Sequence, residues 1–442
     1  VHLSQLQPYR RHIITGNYMY VIRNVKITLL WITWIIILAS PVAYSCTAFM
    51  MTDGEVVLVG NNEDYKVPYT RVWFVPPEKE RYGRVYFGYD DWSPQGGMND
   101  QGLFFDFFTV KKAEVKGSVG KPKFPGPMID TMMAKYATVE DVIDMFSKHN
   151  VGWMSKAQMF IVDKSGDSAI IEGDAVVRNC NAHQVVTNFR QSMIPEKNKP
   201  CKWPAYSCSR YKKAEKLLLE TDTPSVPHFK DVLKATHRSS NNIIATTQYS
   251  NIYDLTEGLV YLYYLHDFDN EIVFNLIKEL KKGSHYFDLP SLFGKELNYD
   301  NKVYTNDSPA FSVSYPKHYK ISKPALHEVF LVKNSMGNTP QISVYVENQP
   351  MNIQLEEIGQ KYLFKLIEKY STKTKLVYST QTALKDKSPA NETLFDRVIN
   401  EHWPFKTLVL STYRDDKLIY VATTSFTHPE ALKEYLYSLQ FH

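Results

Sequence analysis

Cys46 lies where a single cut would turn one residue into both a nucleophile and its base. Ala43 and Ser45 stand three and one positions before it, a small-x-small exit. Arg23 and Lys26 precede an uncharged apolar run over 27–39, which Pro41 ends. A charged start, an apolar middle and a small-residue exit are the layout of a secretory leader. Scission after Ser45 would leave Cys46 with a thiol and a free α-amine. The amine can take the thiol proton and later give it to a departing amine. An α-amine titrates near about 7.7–8.0 and a thiol near about 8.5, so neither needs a large shift to work near neutrality.

The same stretch has other readings. The run over 27–39 is shorter than the roughly 20 residues of a bilayer span, and a retained leader would make it an anchor. Cys46 is also open to lipid modification after cleavage, or to a structural disulfide. Met19 is the natural start of the leader, which leaves 1–18 as an extension ahead of it.

The elements that must position Cys46 follow directly. Residues 47–52 and 55–60 are β-rich and flank Asp53-Gly54, a two-residue hairpin signal. That loop predicts a register in which Thr47 faces Gly60 and Cys46 faces Asn61. The hairpin then carries Asn61-Asn62-Glu63-Asp64 to the nucleophile. Phe49, Met51 and Leu58 alternate with Ala48, Met50, Val57 and Val59, so both faces are apolar and the strands belong in a layer covered on both sides.

Composition narrows the classes. The chain has 442 residues, 44% hydrophobic and 22% charged, which is ordinary globular composition and long enough for two domains after the leader. A net charge of +4 with no basic, aromatic-interleaved patch gives no nucleic-acid footprint. No phosphate loop, nucleotide fingerprint or metal-spaced Cys/His cluster is present, so no cofactor or metal is expected. His12, His149, His183, His228 and His237 are scattered and read as surface or satisfied histidines. Apart from Cys46 the cysteines are Cys180, Cys201 and Cys208; Cys201 with Cys208 would close a small loop and leave Cys180 buried and reduced. Aromatic content of 14% supplies core and pocket alike, and Trp73, Phe74, Trp92, Phe104, Phe105, Phe107 and Phe108 are candidates for either.

Further along, 71–76 and 84–89 read as strands, and 96–103 as a turn-rich approach to an apolar run over 103–110. Thr138 caps a helix over 138–149 with Glu140 and Asp141 in its first turn. Strands over 159–163 and 168–172 form a second hairpin, and 184–187 is a strand ending at Asn188. Helices over 209–219 and 226–236, strands over 243–249 and 259–264, and a helix over 270–282 complete a region without strict β-α alternation, which argues α+β layers. A polar break over 301–308 precedes a smaller α+β domain. It has strands at 311–315, 328–333 and 341–346, a helix at 355–370, strands 407–412 and 417–424 around Asp415-Asp416, and a closing helix at 429–439. No reactive constellation lies in it. The division is 1–45 extension and leader, 46–300 catalytic, 301–442 accessory.

Cys46-Thr47, the hairpin to Asn62-Glu63-Asp64, Met98-Asn99-Asp100-Gln101-Gly102-Leu103, Val186-Thr187-Asn188 and Ser209-Arg210-Tyr211 occur in that order. In this the chain resembles the choloylglycine hydrolase and penicillin V acylase family of N-terminal-nucleophile hydrolases, from Cys46 to about Gly283. The resemblance implies a four-layer αββα sandwich, two stacked antiparallel sheets between helix layers, with the smaller α+β domain appended. It implies hydrolysis of a linear amide by Cys46, Asp64 holding the α-amine, Asn188 binding the oxyanion and Arg210 supporting the site electrostatically. A further oxyanion position of the family falls near Thr109, and Asn99 belongs to its Asn-x-x-Gly-Leu segment. Asn61 stands where many relatives carry an arginine, which leaves the site less cationic. The expected substrate is a small linear amide, such as an N-acyl amino acid or a bile-salt-like or penicillin-like conjugate, and signal peptidase is the expected maturation partner. The expected location is outside the cytoplasm, with transient membrane association through the leader. Acyl transfer to an amine on the same fold, a non-catalytic membrane-anchored binding lipoprotein, and a C-terminal domain that acts as an adaptor remain alternatives.

Overall fold

The computed structural model describes residues 46–66, 68–90, 92–194, 205–239, 246–296, 301–317, 319–322, 328–334, 340–348, 353–369, 371–399, 403–425 and 428–442. The leader, Ser45, Cys201 and the start of the strand expected over 243–249 lie outside them. The chain is a mixed α and β protein built mainly of antiparallel sheets.

The first strands are β1 (Thr47–Thr52), β2 (Val57–Tyr65), β3 (Thr70–Val75), β4 (Arg84–Tyr89), β5 (Pro94–Asn99), β6 (Phe104–Thr109), β7 (Ala157–Val162), β8 (Ser168–Ile171), β9 (Val176–Arg178), β10 (His183–Thr187), β11 (Thr246–Asp254), β12 (Leu259–Tyr264), β13 (Ile272–Asn275) and β14 (His285–Asp288). One sheet runs β10-β1-β2-β11-β12-β13, the other β14-β3-β4-β5-β6-β7-β8-β9. The helices that cover them are α1 (Met128–Lys135), α2 (Val139–Lys148), α3 (Ala205–Leu218) and α4 (Val226–Thr236). Thr138 caps α2 as expected, its side chain accepting from the Asp141 N–H.

Three apolar clusters follow from strand alternation. Ala48, Met50, Val57 and Val59 pack with Phe74, Phe87, Phe104, Phe108 and Phe160, joining one face of the first sheet to the second. Phe49, Met51 and Leu58 point the other way and pack on Ala214, Leu218, Phe229 and Val232 of α3 and α4. The far face of the second sheet, with Trp73, Trp92, Phe105 and Met159, packs on Met132, Val142 and Met145 of α1 and α2. Six of the seven aromatic candidates are buried in these clusters, and Phe107 packs half-buried beside them.

The doubly apolar hairpin is present, but its register differs from the expected one by two residues. Thr52 pairs with Val57 and Thr47 with Asn62. The cause is Asp53, whose Oδ1 accepts from the Glu55 and Val56 N–H groups at 3.0 and 2.9 Å and closes a four-residue loop. A shift of two keeps every side chain on its face. In the pair Phe49–Gly60 the Phe49 ring covers β2 so closely that a Cβ on residue 60 would lie 2.4 Å from it.

Other expectations are corrected. Gly96 and Gly97 lie inside β5 rather than in a turn, paired with β4 and β6 so closely that a Cβ on Gly97 would meet the Val85 carbonyl at 2.2 Å. The helix expected over 270–282 is strand β13 followed by a helical turn at Leu276–Leu280, which the Asn275 side chain caps. The polar break at 301–308 is a strand, β15 (Asn301–Asp307), paired with β16 (Ala310–Pro316). Cys180 is free and exposed, not buried; Cys208 is disulfide-bonded.

Beyond β16 come β17 (Tyr319–Ser322), β18 (Glu328–Asn334), β19 (Pro340–Asn348), β20 (Lys373–Ala383), β21 (Pro389–Ile399), β22 (Trp403–Arg414), β23 (Lys417–Ser425) and β24 (Gln440–Phe441). A seven-stranded sheet runs β17-β18-β19-β23-β22-β21-β20, and β24 joins β15 and β16. Asp415 and Asp416, at φ 48° and 56°, turn β22 into β23. The helices expected at 355–370 and 429–439 are instead short consecutive 3₁₀, π and α segments, and β20 and β21 were not anticipated. Among the described residues no helix is long and apolar enough to cross a membrane.

Candidate active site

Strand β1 is flanked by β2 and β10, so the residue before it has a neighbour on each side. Thr47 pairs with Asn62 and with Thr187. One step back along both ladders, Cys46 lies level with Glu63 and Asn188. Its side chain belongs to the inter-sheet cluster and is 5% exposed. Its Sγ lies 4.0 Å from the Asp64 carbonyl. Burial, then the negative charges of Glu63, Asp64 and Asp106, push the thiol well above its usual range.

The run Asn61-Asn62-Glu63-Asp64 divides by strand alternation. Asn62 and Asp64 face the helices. Asn62 donates to the Leu233 carbonyl and Thr236 Oγ1, and accepts from Ser250 Oγ at 2.6 Å. Asp64 is fully buried; its Oδ1 accepts from Thr247 Oγ1 at 2.6 Å and its Oδ2 from Arg210 Nη1 at 3.2 Å. Arg210 also donates through Nη2 to Asn188 Oδ1 at 3.4 Å, and Asn188 Nδ2 donates to the Thr109 carbonyl at 2.9 Å. A continuous chain therefore links Thr247, Asp64, Arg210, Asn188 and Thr109. Its members come from β11, β2, α3, the end of β10 and the end of β6. Burial pushes the Asp64 carboxyl up to about 6, against the opposing pull of Arg210, Thr247 and Arg238, so it is ionised at neutral pH.

Asn61 and Glu63 face the other sheet. Asn61 Nδ2 donates to Asp106 Oδ2 at 2.6 Å. Glu63 Oε1 accepts from Tyr89 OH at 2.8 Å, while Oε2 is buried with no hydrogen-bond partner. Burial foremost, then the charge of Asp64, pushes Glu63 up to about 8 against the Tyr89 bond; burial and Glu63 push Asp106 up as well. Both carboxyls are thus harder to ionise than free ones.

Of the residues singled out from sequence, Cys46, Asp64, Asn188, Arg210 and Asn61 converge here. Thr109 contributes its carbonyl, while its side chain is exposed. Asn99 lies elsewhere. Its amide donates to the Met133 and Tyr136 carbonyls and its Oδ1 accepts from Gln101 and Leu103, a turn fully occupied in holding itself. Among the described residues no group of three or more His, Cys, Asp or Glu is arranged to hold a metal.

Four participants were not singled out from sequence. Glu63 was read only as part of the run, and Asp106 as part of an apolar strand. Thr247 reaches Asp64 from 183 residues away, next to a bulge between Thr247 and Tyr249. Arg238 follows α4. Its guanidinium lies 5.2 Å from the ring centre of the exposed Tyr206, and that of Arg210 lies 4.8 Å from the same ring. No local spacing marks these four; only the pairing of β2 with β11 and the stacking of the sheets collects them.

No described sequence family matches the chain, and no curated protein matches it. Solved structures align with part of it. Penicillin V acylase from Agrobacterium tumefaciens aligns at 20% identity and TM-score 0.43, covering 55% of this chain and 92% of that one. Two variants of conjugated bile acid hydrolase from Clostridium perfringens align at 16% identity with TM-scores of 0.42 and 0.43. They cover 55% and 58% of this chain and 96% and 100% of theirs. Likeness this distant transfers no role to any residue.

Proposed function

We propose that this protein is an exported cysteine amidase that cleaves a linear amide, such as an N-acyl amino acid or a related conjugate, through an acyl-enzyme on Cys46. The observation that carries this reading is the hydrogen-bonded chain Thr247–Asp64–Arg210–Asn188–Thr109, drawn from five elements, with the Asp64 backbone carbonyl 4.0 Å from the buried Cys46 thiol. In this reading, removal of 1–45 frees the α-amine of Cys46, and the two sheets with their flanking helices form an αββα catalytic domain over 46–300. Residues 301–442 form an accessory domain.

The α-amine takes the thiol proton, and the sulfur attacks the amide carbonyl carbon. The carbonyl oxygen becomes an oxyanion beside the second N–H of Asn188 Nδ2, whose first is fixed by the Thr109 carbonyl. A donor held in place in this way typically lowers the barrier by about 3–4 kcal/mol. The C–N bond then breaks, the leaving amine takes the proton from the α-ammonium, and a thioester remains. Water, deprotonated by the same amine, attacks the thioester carbon; the C–S bond breaks, the acid leaves, and the α-ammonium returns its proton to the sulfur. Asp64, ionised and held by Arg210, favours the ammonium form between these steps.

The test is N-terminal sequencing of the secreted protein followed by assay against a panel of N-acyl amides. A mature chain beginning at Cys46, loss of turnover in Cys46→Ala, and a kcat lowered about 10²–10³-fold in Asn188→Ala are expected. Full turnover in Cys46→Ala, or in a chain still carrying Ser45, overturns the reading.

A further inference from the structure

We propose that Arg238 is a specificity-determining residue that takes a carboxylate on the amine half of the substrate, so that the substrate class is N-acyl amino acids rather than neutral N-acyl amines. The inference rests on the amidase reading for the direction in which the substrate lies, whereas the cation and its setting are features of the fold.

That setting draws on α3, the exit of α4 and β11. Helix α4 ends at Thr236, His237 is extended, and the next residue runs beside the start of β11. The Arg238 N–H donates to Thr247 Oγ1 at 2.7 Å; its carbonyl accepts from the Thr247 N–H at 2.9 Å and from Thr246 Oγ1 at 2.8 Å. Thr247 Oγ1 in turn donates to Asp64 at 2.6 Å, so the backbone of Arg238 is fastened to the chain of hydrogen bonds that holds Asp64. The side chain lies over the Tyr206 ring, 5.2 Å from its centre, and Arg210 lies over the same ring at 4.8 Å. Tyr206 and Arg210 are four residues apart on α3 and so share one helix face. The two guanidiniums differ in what answers their charge. Arg210 is buried and paired with Asp64 at 3.2 Å. Arg238 is half-buried, and among the described residues no carboxylate lies within ion-pairing distance of it. Asp64 thus faces two cations with one charge, and the surplus rests on the more accessible of them. A guanidinium laid over an aromatic ring keeps its N–H edge for an acceptor.

The direction of the substrate follows from its proton. In the amidase reading the departing amine takes a proton from the α-ammonium of Cys46, so the amine half lies on the side of that nitrogen. Asp64 is the carboxylate that favours the ammonium form, and Arg238 is one of the two cations gathered at Asp64. An α-amino acid carries its carboxylate on the carbon next to the nitrogen that leaves. With an ordinary pKa of about 3.3–3.7, that group is charged at neutral pH. A planar guanidinium can meet it with two parallel N–H donors. A neutral amine half leaves the surplus charge unanswered.

The test compares, on the full mature protein, the glycine and glycinamide conjugates of whichever acyl group the panel of amides shows to be cleaved fastest. The pair differs only in the charge of the amine half. The parent is expected to favour the glycine conjugate by about 10–100-fold in kcat/KM, the ordinary worth of a hydrogen bond between charged groups. Arg238→Gln is expected to abolish that preference, chiefly through KM. Arg238→Lys keeps the charge without the fork and is expected to retain part of it. Because Arg238 is half-exposed, the parent's preference should also fall as salt is raised, which gives a reading if the variants fold poorly. A merely structural role would lower both conjugates together. A parent without preference, a preference insensitive to salt, or one unchanged in Arg238→Gln overturns the inference while amide cleavage, and with it the amidase reading, stands. If no amide is cleaved, calorimetric binding of N-lauroylglycine and N-lauroylglycinamide reads the subsite alone. Tighter binding of the acid in the parent and not in Arg238→Gln upholds the role of the cation and sinks the amidase reading; equal binding overturns both.

Discussion

Strand β2 carries two adjacent buried carboxyls, and its two faces treat them oppositely. On the helix side, Asp64 meets a guanidinium and a hydroxyl and titrates near 6. On the sheet side, one residue away, Glu63 is pushed up to about 8 by burial and the charge of Asp64, against hydrogen bonds from Tyr89 and the Cys46 thiol. Burial raises both; the difference is the company each keeps. Between those values the Asp64 side of the strand favours a negative charge and the Glu63 side does not.

Four substitutions probe that contrast, from the largest effect down. Asp64→Asn should break the buried ion pair with Arg210 and cost about 3–5 kcal/mol in urea unfolding, with loss of turnover. A near-neutral result would mean that the helix-side face is not electrostatically committed.

Glu63→Gln should act with the opposite sign. The folded-state pKa of Glu63 is raised from 4.5 to about 8, so folding favours its protonated form. The stability that this contributes is fully present below pH 4.5 and is lost as pH rises to about 8. The variant should match the parent in Tm near pH 4.5 and exceed it by pH 9. Parallel Tm curves would show that Glu63 is not buried neutral.

Thr247→Val and Tyr89→Phe each delete one hydroxyl donor to one carboxyl. The first removes a bond to an anion and should cost about 1.5–3 kcal/mol; the second removes a bond to a neutral acid and should cost about 0.5–1.5 kcal/mol. The pH profiles should separate them as well. Thr247→Val raises the Asp64 pKa, so the acid limb of turnover moves above pH 6. Tyr89→Phe leaves that limb in place.

The two faces were legible in the sequence, and their contents were not. Alternation alone assigned Phe49, Met51 and Leu58 to one side and Ala48, Met50, Val57 and Val59 to the other, and both assignments are met in the packing. The motif order singled out Cys46, Asp64, Asn188 and Arg210, which do converge. The register failed because the Asp53 side chain bonds two N–H groups and lengthens the loop. Asp106, Thr247 and Arg238 were missed because nothing near them in the chain differs from a strand or a helix exit; their meaning comes from strands paired across long separations. The segment at 272–275 was read as helix because its edge pairing with β12 is invisible to a local pattern.

Gly60 gives the hairpin a fragility unrelated to reactivity. The Phe49 ring rests on it and is itself backed by Phe229, with ring centres 5.1 Å apart, so it has little room to retreat. A single methyl group at position 60 would act as a wedge between the first two strands and disturb the pairing that holds Thr47 against Asn62. The residue with the least chemistry should therefore tolerate replacement worse than several of those with the most.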